Sequence, residues 1–149
     1  MRPIAVATPF VALMLSLAAC SEPAKAPASA PAPSAVAAVL ADVDLAQPVQ
    51  ALGTEPFWSI EITPTALTYT TPDGAPVATP NPGVEVQGTT AAYKTTANGQ
   101  PFEITLIATE CSDGMSDRTY PLTAIVKMGE RTLNGCANAK AALAAQPPT

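Results

Sequence analysis

The chain is expected to be all-β, a small antiparallel meander of about seven strands closed as a barrel or sandwich. Two observations predict this. From residue 51 to residue 136, apolar side chains recur with period two, not 3.6. The apolar runs are short, and turn residues part them at close spacing. An open sheet would leave an apolar face and two edges uncovered. Closure hides Trp58, Ile60, Leu106, Leu122 and Val126 together.

In Phe57 to Thr63, Trp58, Ile60 and Ile62 alternate with Ser59, Glu61 and Thr63. Leu67 and Tyr69 share a face of the next run, which ends before the turn Pro72-Asp73-Gly74. Residues 75–83 hold three prolines and are expected to be loop. Val84 to Gly88 and Thr90 to Thr96 read as polar strands, and Asn98-Gly99 is a hairpin signal. Phe102 to Thr109 and Tyr120 to Met128 alternate again, and Gly129-Glu130 suits a tight type II′ turn. Arg131 to Cys136 is the last clear strand. The Ala-rich tail over 138–149 is expected to be frayed or a short helix.

Ahead of this β-domain, assigned to 51–137, the composition changes. Residues 21–34 are almost entirely Ala, Pro and Ser, which cannot bury enough apolar surface to fold. Residues 20–50 therefore read as a tether, reaching ~90 Å if polyproline-like and ~30 Å as a coil. Within it, residues 35–46 have the composition for one or two helical turns.

The extreme N-terminus resembles the signal of bacterial lipoproteins. Arg2 supplies a positive charge, residues 10–19 an apolar stretch, and Leu17-Ala18-Ala19-Cys20 a lipobox. Ten residues are too few to span a bilayer, which takes ~20, so 1–19 reads as a cleaved signal peptide. The resemblance implies acyl chains, palmitate among them, on Cys20. Ser21, not Asp, follows Cys20. In Gram-negative lipoproteins that favours anchoring at the periplasmic face of the outer membrane. More than one chain makes such an anchor lasting.

Setting Cys20 aside leaves Cys111 and Cys136, which are expected to form one disulfide in an oxidising periplasm. The loop closed is 26 residues, for which chain entropy gives about 3.5 kcal/mol. In a meander of 102–109, 120–128 and 131–136, the two cysteines flank a middle strand, ~9.6 Å apart. A disulfide tolerates only ~7 Å between Cα atoms. Cys111 must therefore belong to a loop folded as a cap over the end of that strand.

Composition excludes several chemistries. No histidine is present, which removes Ser-His and Cys-His nucleophiles and His-ligated zinc, iron or haem. Between 51 and 136, four Lys and Arg stand against nine Asp and Glu, a net of −5. Such a domain does not attract nucleic acid and is suited to a cationic partner. Nothing selects a carboxylate pair for glycoside hydrolysis, and Ser59, Ser112 and Ser116 lack a base. Glu110, Asp113 and Asp117 do not have the spacing of a calcium loop. No enzyme, cofactor or metal is expected.

Three patches remain: Gly53-Thr54-Glu55-Pro56-Phe57-Trp58, the run from Cys111 to Pro121, and Asn134-Gly135-Cys136-Ala137. Together they resemble a family of uncharacterised bacterial envelope lipoproteins. The likeness covers roughly 51–137 and implies no known activity. Such domains occur beside other small envelope β-domains, including the membrane-bound inhibitor of C-type lysozyme, so envelope maintenance is one expectation by analogy. The candidate recognition loop is Asp113, Met115, Ser116, Asp117 and Arg118, facing a cationic periplasmic protein or a cell-wall fragment. Asx turns around Asp113 and Asp117 are the structural alternative. Trp58 is expected in the core, with sugar stacking as the alternative. The function expected is a non-enzymatic binding or envelope-maintenance lipoprotein. The alternative is an inhibitor of C-type lysozyme-like cell-wall hydrolases, in which Arg118 acts as the plug.

Overall fold

The computed structural model describes residues 38–146. The expected signal peptide, Cys20 and the tether up to residue 37 lie outside the described residues.

In chain order the strands are β1 (Val39–Leu40), β2 (Val43–Asp44), β3 (Val49–Thr54), β4 (Phe57–Ile62), β5 (Ala66–Thr70), β6 (Val77–Pro80) and β7 (Glu85–Gln87). They continue as β8 (Thr90–Ala97), β9 (Gln100–Ile107), β10 (Cys111–Ser112), β11 (Thr119–Tyr120), β12 (Leu122–Met128) and β13 (Arg131–Ala139), before a short helix α1 (Lys140–Ala145). Nine of them form one antiparallel sheet in the order β6-β5-β4-β3-β13-β12-β9-β8-β7. β1 with β2, and β10 with β11, form separate two-stranded pairs.

The all-β antiparallel class is observed, and the sheet curls into a half-barrel. Chain length explains the curl. β6 and β7 are opposite ends of the hydrogen-bonded order, yet residues 81–84 alone connect them. Four such residues bridge at most ~18 Å, whereas the edge strands of a flat nine-stranded sheet lie ~38 Å apart. The gap between the edges is crossed by a side chain: Thr79 on β6 donates its Oγ1 proton to the Thr96 carbonyl of β8 at 3.2 Å. The two edges thus approach through a side-chain contact, and no backbone ladder joins β6 to β7 or β8 among the described residues.

The concave face gathers the core. Trp58, Ile60 and Ile62 of β4 and Leu67 and Tyr69 of β5 meet Tyr93 of β8. Phe102, Ile104 and Leu106 of β9 and Leu122, Ala124 and Val126 of β12 complete it. Alternate residues of each strand point there, as period two requires. Both expected hairpin turns are present. Asn98 and Gly99 have φ of 52° and 76°, as a type I′ turn requires. Between β12 and β13 only Gly129 is positive, at 59°, which matches type II′.

Several boundaries differ from expectation. The tether does not run to residue 50, because 38–50 belongs to the fold. Leu40, Val43 and Leu45 are buried in the same core, and β3 pairs with both β4 and β13. The segment expected to be helical is a strand pair turning at Ala41 and Asp42, whose φ of 46° and 64° rule out a helix. Its valines suit that state, being stiff at χ1. The 75–83 loop contains β6, which tolerates prolines because it is an edge strand. Pro121 parts the expected strand 120–128 into β11 and β12. β13 continues past Cys136 to Ala139, and α1 occupies part of the tail. Lys140 ties that tail to the sheet through Glu61, with Nζ to Oε1 at 2.6 Å.

The Cys111–Cys136 disulfide is formed, with Cα atoms 5.5 Å apart. As the strand spacing demanded, Cys111 has left β9 and sits in β10, opposite Tyr120.

Candidate functional site

The three sequence patches meet at one end of the half-barrel. Thr54 and Phe57 pair across a two-residue turn, Glu55-Pro56, which contains a cis peptide bond. Phe57 then points outward with its ring about half exposed (54%), while Trp58 turns in and is 3% exposed. The indole runs over Gly53 of β3 toward Gly135 of β13. A Cβ on Gly53 would meet Trp58 Cε2 at 2.6 Å, and one on Gly135 would meet Trp58 Cζ2 at 2.8 Å. Glycine at both positions is what lets the ring lie flat against three strands. The indole Nε1 is fully enclosed and has no acceptor among the described residues.

The loop between β10 and β11 is organised by Asp113. Its Oδ1 accepts from the Met115 and Ser116 backbone amides at 2.9 and 2.8 Å. Its Oδ2 accepts from Ser116 Oγ and from the Tyr120 hydroxyl, both at 2.9 Å. Partial desolvation disfavours the charged form, yet these four donors outweigh it and hold the carboxyl down to about 2. The Tyr120 phenol is pushed up, first by burial and then by its bond to Asp113. Gly114 takes φ of 70°, a conformation that favours glycine. The loop is fastened to the turn opposite, where Thr54 Oγ1 donates to the Asp113 carbonyl at 3.3 Å.

The candidate recognition residues thus divide. Asp113 and Ser116 are spent on the loop's own hydrogen bonds, in the Asx arrangement. Arg118 Nη2 donates to the Gln146 carbonyl. The inhibitor alternative asks Arg118 to project as a plug, and this contact holds it back. Met115 (69% exposed) and Asp117 face outward.

Two hollows flank the Thr54–Asp113 contact. The larger, about 440 Å³, is lined by Leu52, Gly53, Thr54, Phe57, Trp58, Ser59, Thr70, Thr71, Pro72 and Met115. That volume lies within the range of small-ligand sites, ~300–1,000 Å³. The smaller, about 260 Å³, lies on the disulfide side between Cys111, Asp113, Thr123 and Asn134. Phe57 was not singled out by sequence reasoning, although a signal existed. Period two puts it on the polar face with Ser59 and Glu61, where a large aromatic is out of place. Thr70, Thr71 and Pro72 carry no such signal, since only the β4–β5 register brings them to the cleft.

Fold and site together define a disulfide-pinned antiparallel half-barrel with an apolar cleft under its cap loop. Comparisons of the chain with protein-family models, curated proteins and solved structures found no significant match. Among the described residues, no cluster of three acidic, Cys or His side chains has metal-holding geometry. No helix among them is long and apolar enough to cross a membrane.

Proposed function

We propose that the chain is a lipoprotein anchored through Cys20 at the periplasmic face of the outer membrane, and that its β-domain works by binding, not by turnover. The observation that carries the binding half is the cleft. Two of the few large apolar side chains exposed on the described residues, Phe57 and Met115, line the same hollow. A soluble fold gains nothing by leaving such a pair uncovered, and clustered apolar exposure marks interaction surfaces. The anchor is supported by the lipobox alone. Envelope maintenance through a bound partner follows from the two together, and the likeness of the three patches to envelope lipoproteins agrees with it.

One experiment addresses both halves. Wild type, Cys20→Ala and Phe57→Ser/Met115→Ser chains are expressed in a Gram-negative host, fractionated, and cross-linked in the periplasm. Cys20→Ala is expected in the soluble fraction, and the cleft variant is expected in the membrane with its cross-linked partner lost. Persistence of Cys20→Ala in the membrane contradicts the anchor. An unchanged cross-linking pattern in the cleft variant contradicts the site.

A further inference from the structure

We infer that the cleft takes a basic polypeptide segment, with one large apolar side chain seated between Phe57 and Met115 and lysines or arginines on either side of it. The inference rests on the cleft being the binding site, as proposed above, and names its occupant.

Two features of the cleft specify the two parts of that occupant. None of the residues lining it is ionisable, so the inserted group is uncharged, and Leu52, Phe57, Trp58 and Met115 make it apolar. Met115 is unbranched and polarisable, which suits it to close over side chains of different shape. The surroundings carry the opposite character. Glu55 sits in the turn between Thr54 and Phe57, Asp73 follows Pro72, and Asp117 is two residues from Met115. All three are exposed, and none is in an ion pair among the described residues. The one cation of the cap loop, Arg118, is turned to the Gln146 carbonyl. The net of −5 over residues 51–136 extends the same sign outward. A neutral sugar leaves the charge of these carboxylates unopposed even where its hydroxyls donate to them, and an anionic lipid surface is repelled by them. A basic segment satisfies both parts, and the exposed Phe57 ring adds a cation–π surface beside the anchor.

The test uses the full-length chain and a dye-labelled nine-residue peptide with one central Phe among Lys and Gly. Three controls accompany it: the same peptide with Ala for Phe, with Glu for every Lys, and the neutral N-acetyl-phenylalanine amide. Binding is read by fluorescence anisotropy at ~0.02 and ~0.5 M salt, where screening lengths differ severalfold. The basic Phe peptide is expected to bind, and more weakly at high salt. Loss of its Phe is expected to weaken it about tenfold or more, as burial of one large apolar side chain implies. The Glu peptide is expected not to bind. Phe57→Ser and Glu55→Gln/Asp73→Asn/Asp117→Asn are each expected to weaken the basic peptide. The triple neutralisation leaves the thermal midpoint unchanged because its residues are exposed, and Phe57→Ser, whose ring is about half exposed, lowers it by no more than several degrees. Equal binding of the Lys and Glu peptides, or no effect of the triple neutralisation, overturns the basic occupant. If Phe57→Ser still abolishes binding in that case, the cleft stands as a site. Binding that is indifferent to Phe57→Ser, or absent for every probe, overturns both.

Discussion

Trp58 packs its indole over two positions that have no side chain, and those positions are the glycines of two separate sequence patches. This explains why Gly53 and Gly135 belong with Trp58. A methyl group on Gly135 would also run into the Leu52 carbonyl carbon at 2.8 Å, where backbone cannot swing aside as a side chain can. Gly135→Ala is therefore expected to destabilise by ~1–3 kcal/mol, the usual cost of overpacking, and urea denaturation measures it. Asp113 makes the second prediction at this scale. Its carboxyl titrates near 3.9 in an unfolded chain and at about 2 in the fold. The stabilisation it contributes is complete above pH ~4 and is lost as pH falls through ~2. Asp113→Asn is expected to flatten that part of the acid-unfolding curve. It should also lower stability at neutral pH by about 1 kcal/mol, the usual size for a disrupted hydrogen-bond set at a partly exposed site. An unchanged acid limb would show that the carboxylate does not organise the loop.

The elements show which strands announce themselves. β4, β9 and β12 alternate large apolar and polar residues, and each is legible from its own residues. β3 alternates just as strictly in burial, but its inward residues include Ala51 and Gly53, and its neighbours are an Ala/Pro-rich stretch. Small residues register weakly as a hydrophobic period, so composition hides the strand. β6 is masked by the prolines that an edge position tolerates. The seam between β3 and β13 has no local signature at all, since Leu52 meets Cys136 only once the rest of the sheet has formed. The site divides in the same manner. The cap loop was legible as a dense run of turn residues beside a cysteine, whereas the Thr70–Pro72 wall depends on register. The β1–β2 pair gives the element-scale prediction. It contributes Leu40 and Val43, and Leu45 follows directly, all three buried. At ~1.5–3 kcal/mol for each such side chain, their loss rivals the whole stability of a small domain. A chain begun at Gln47 is expected to lose cooperative thermal unfolding, or to melt far below the parent. An unaltered melt would mean that this pair is an ornament on the sheet.

At the scale of the whole molecule, the chain builds one sheet from two meanders and joins them where it begins and where it ends. The β3–β13 seam pairs residues 49–52 with 136–139, so this contact closes most of the folded chain into one loop. Non-local pairing of this kind slows folding. The disulfide acts on the same end of the sheet, fixing β10 to β13 directly after Asn134 and Gly135, which line the smaller hollow. Its removal is expected to lower stability by about 3.5 kcal/mol through the freed chain entropy. A Cys111→Ala/Cys136→Ala chain, compared with wild type by urea midpoint, measures it. A loss below ~1 kcal/mol would place the constraint elsewhere.

Trp58 is the only tryptophan in the chain. It forms one wall of the cleft, yet its ring is nearly shielded from water and its N–H touches no acceptor among the described residues. The protein therefore has one indole fluorophore, set in an apolar surrounding against the larger hollow. Excited beyond the tyrosine absorption band, the folded protein emits from a single position, without a second indole to blur it. Any occupant that shifts the cap loop, or admits water to the indole, registers as a change in that emission. The glycines that let the ring lie flat have thus left the cleft with a built-in optical gauge.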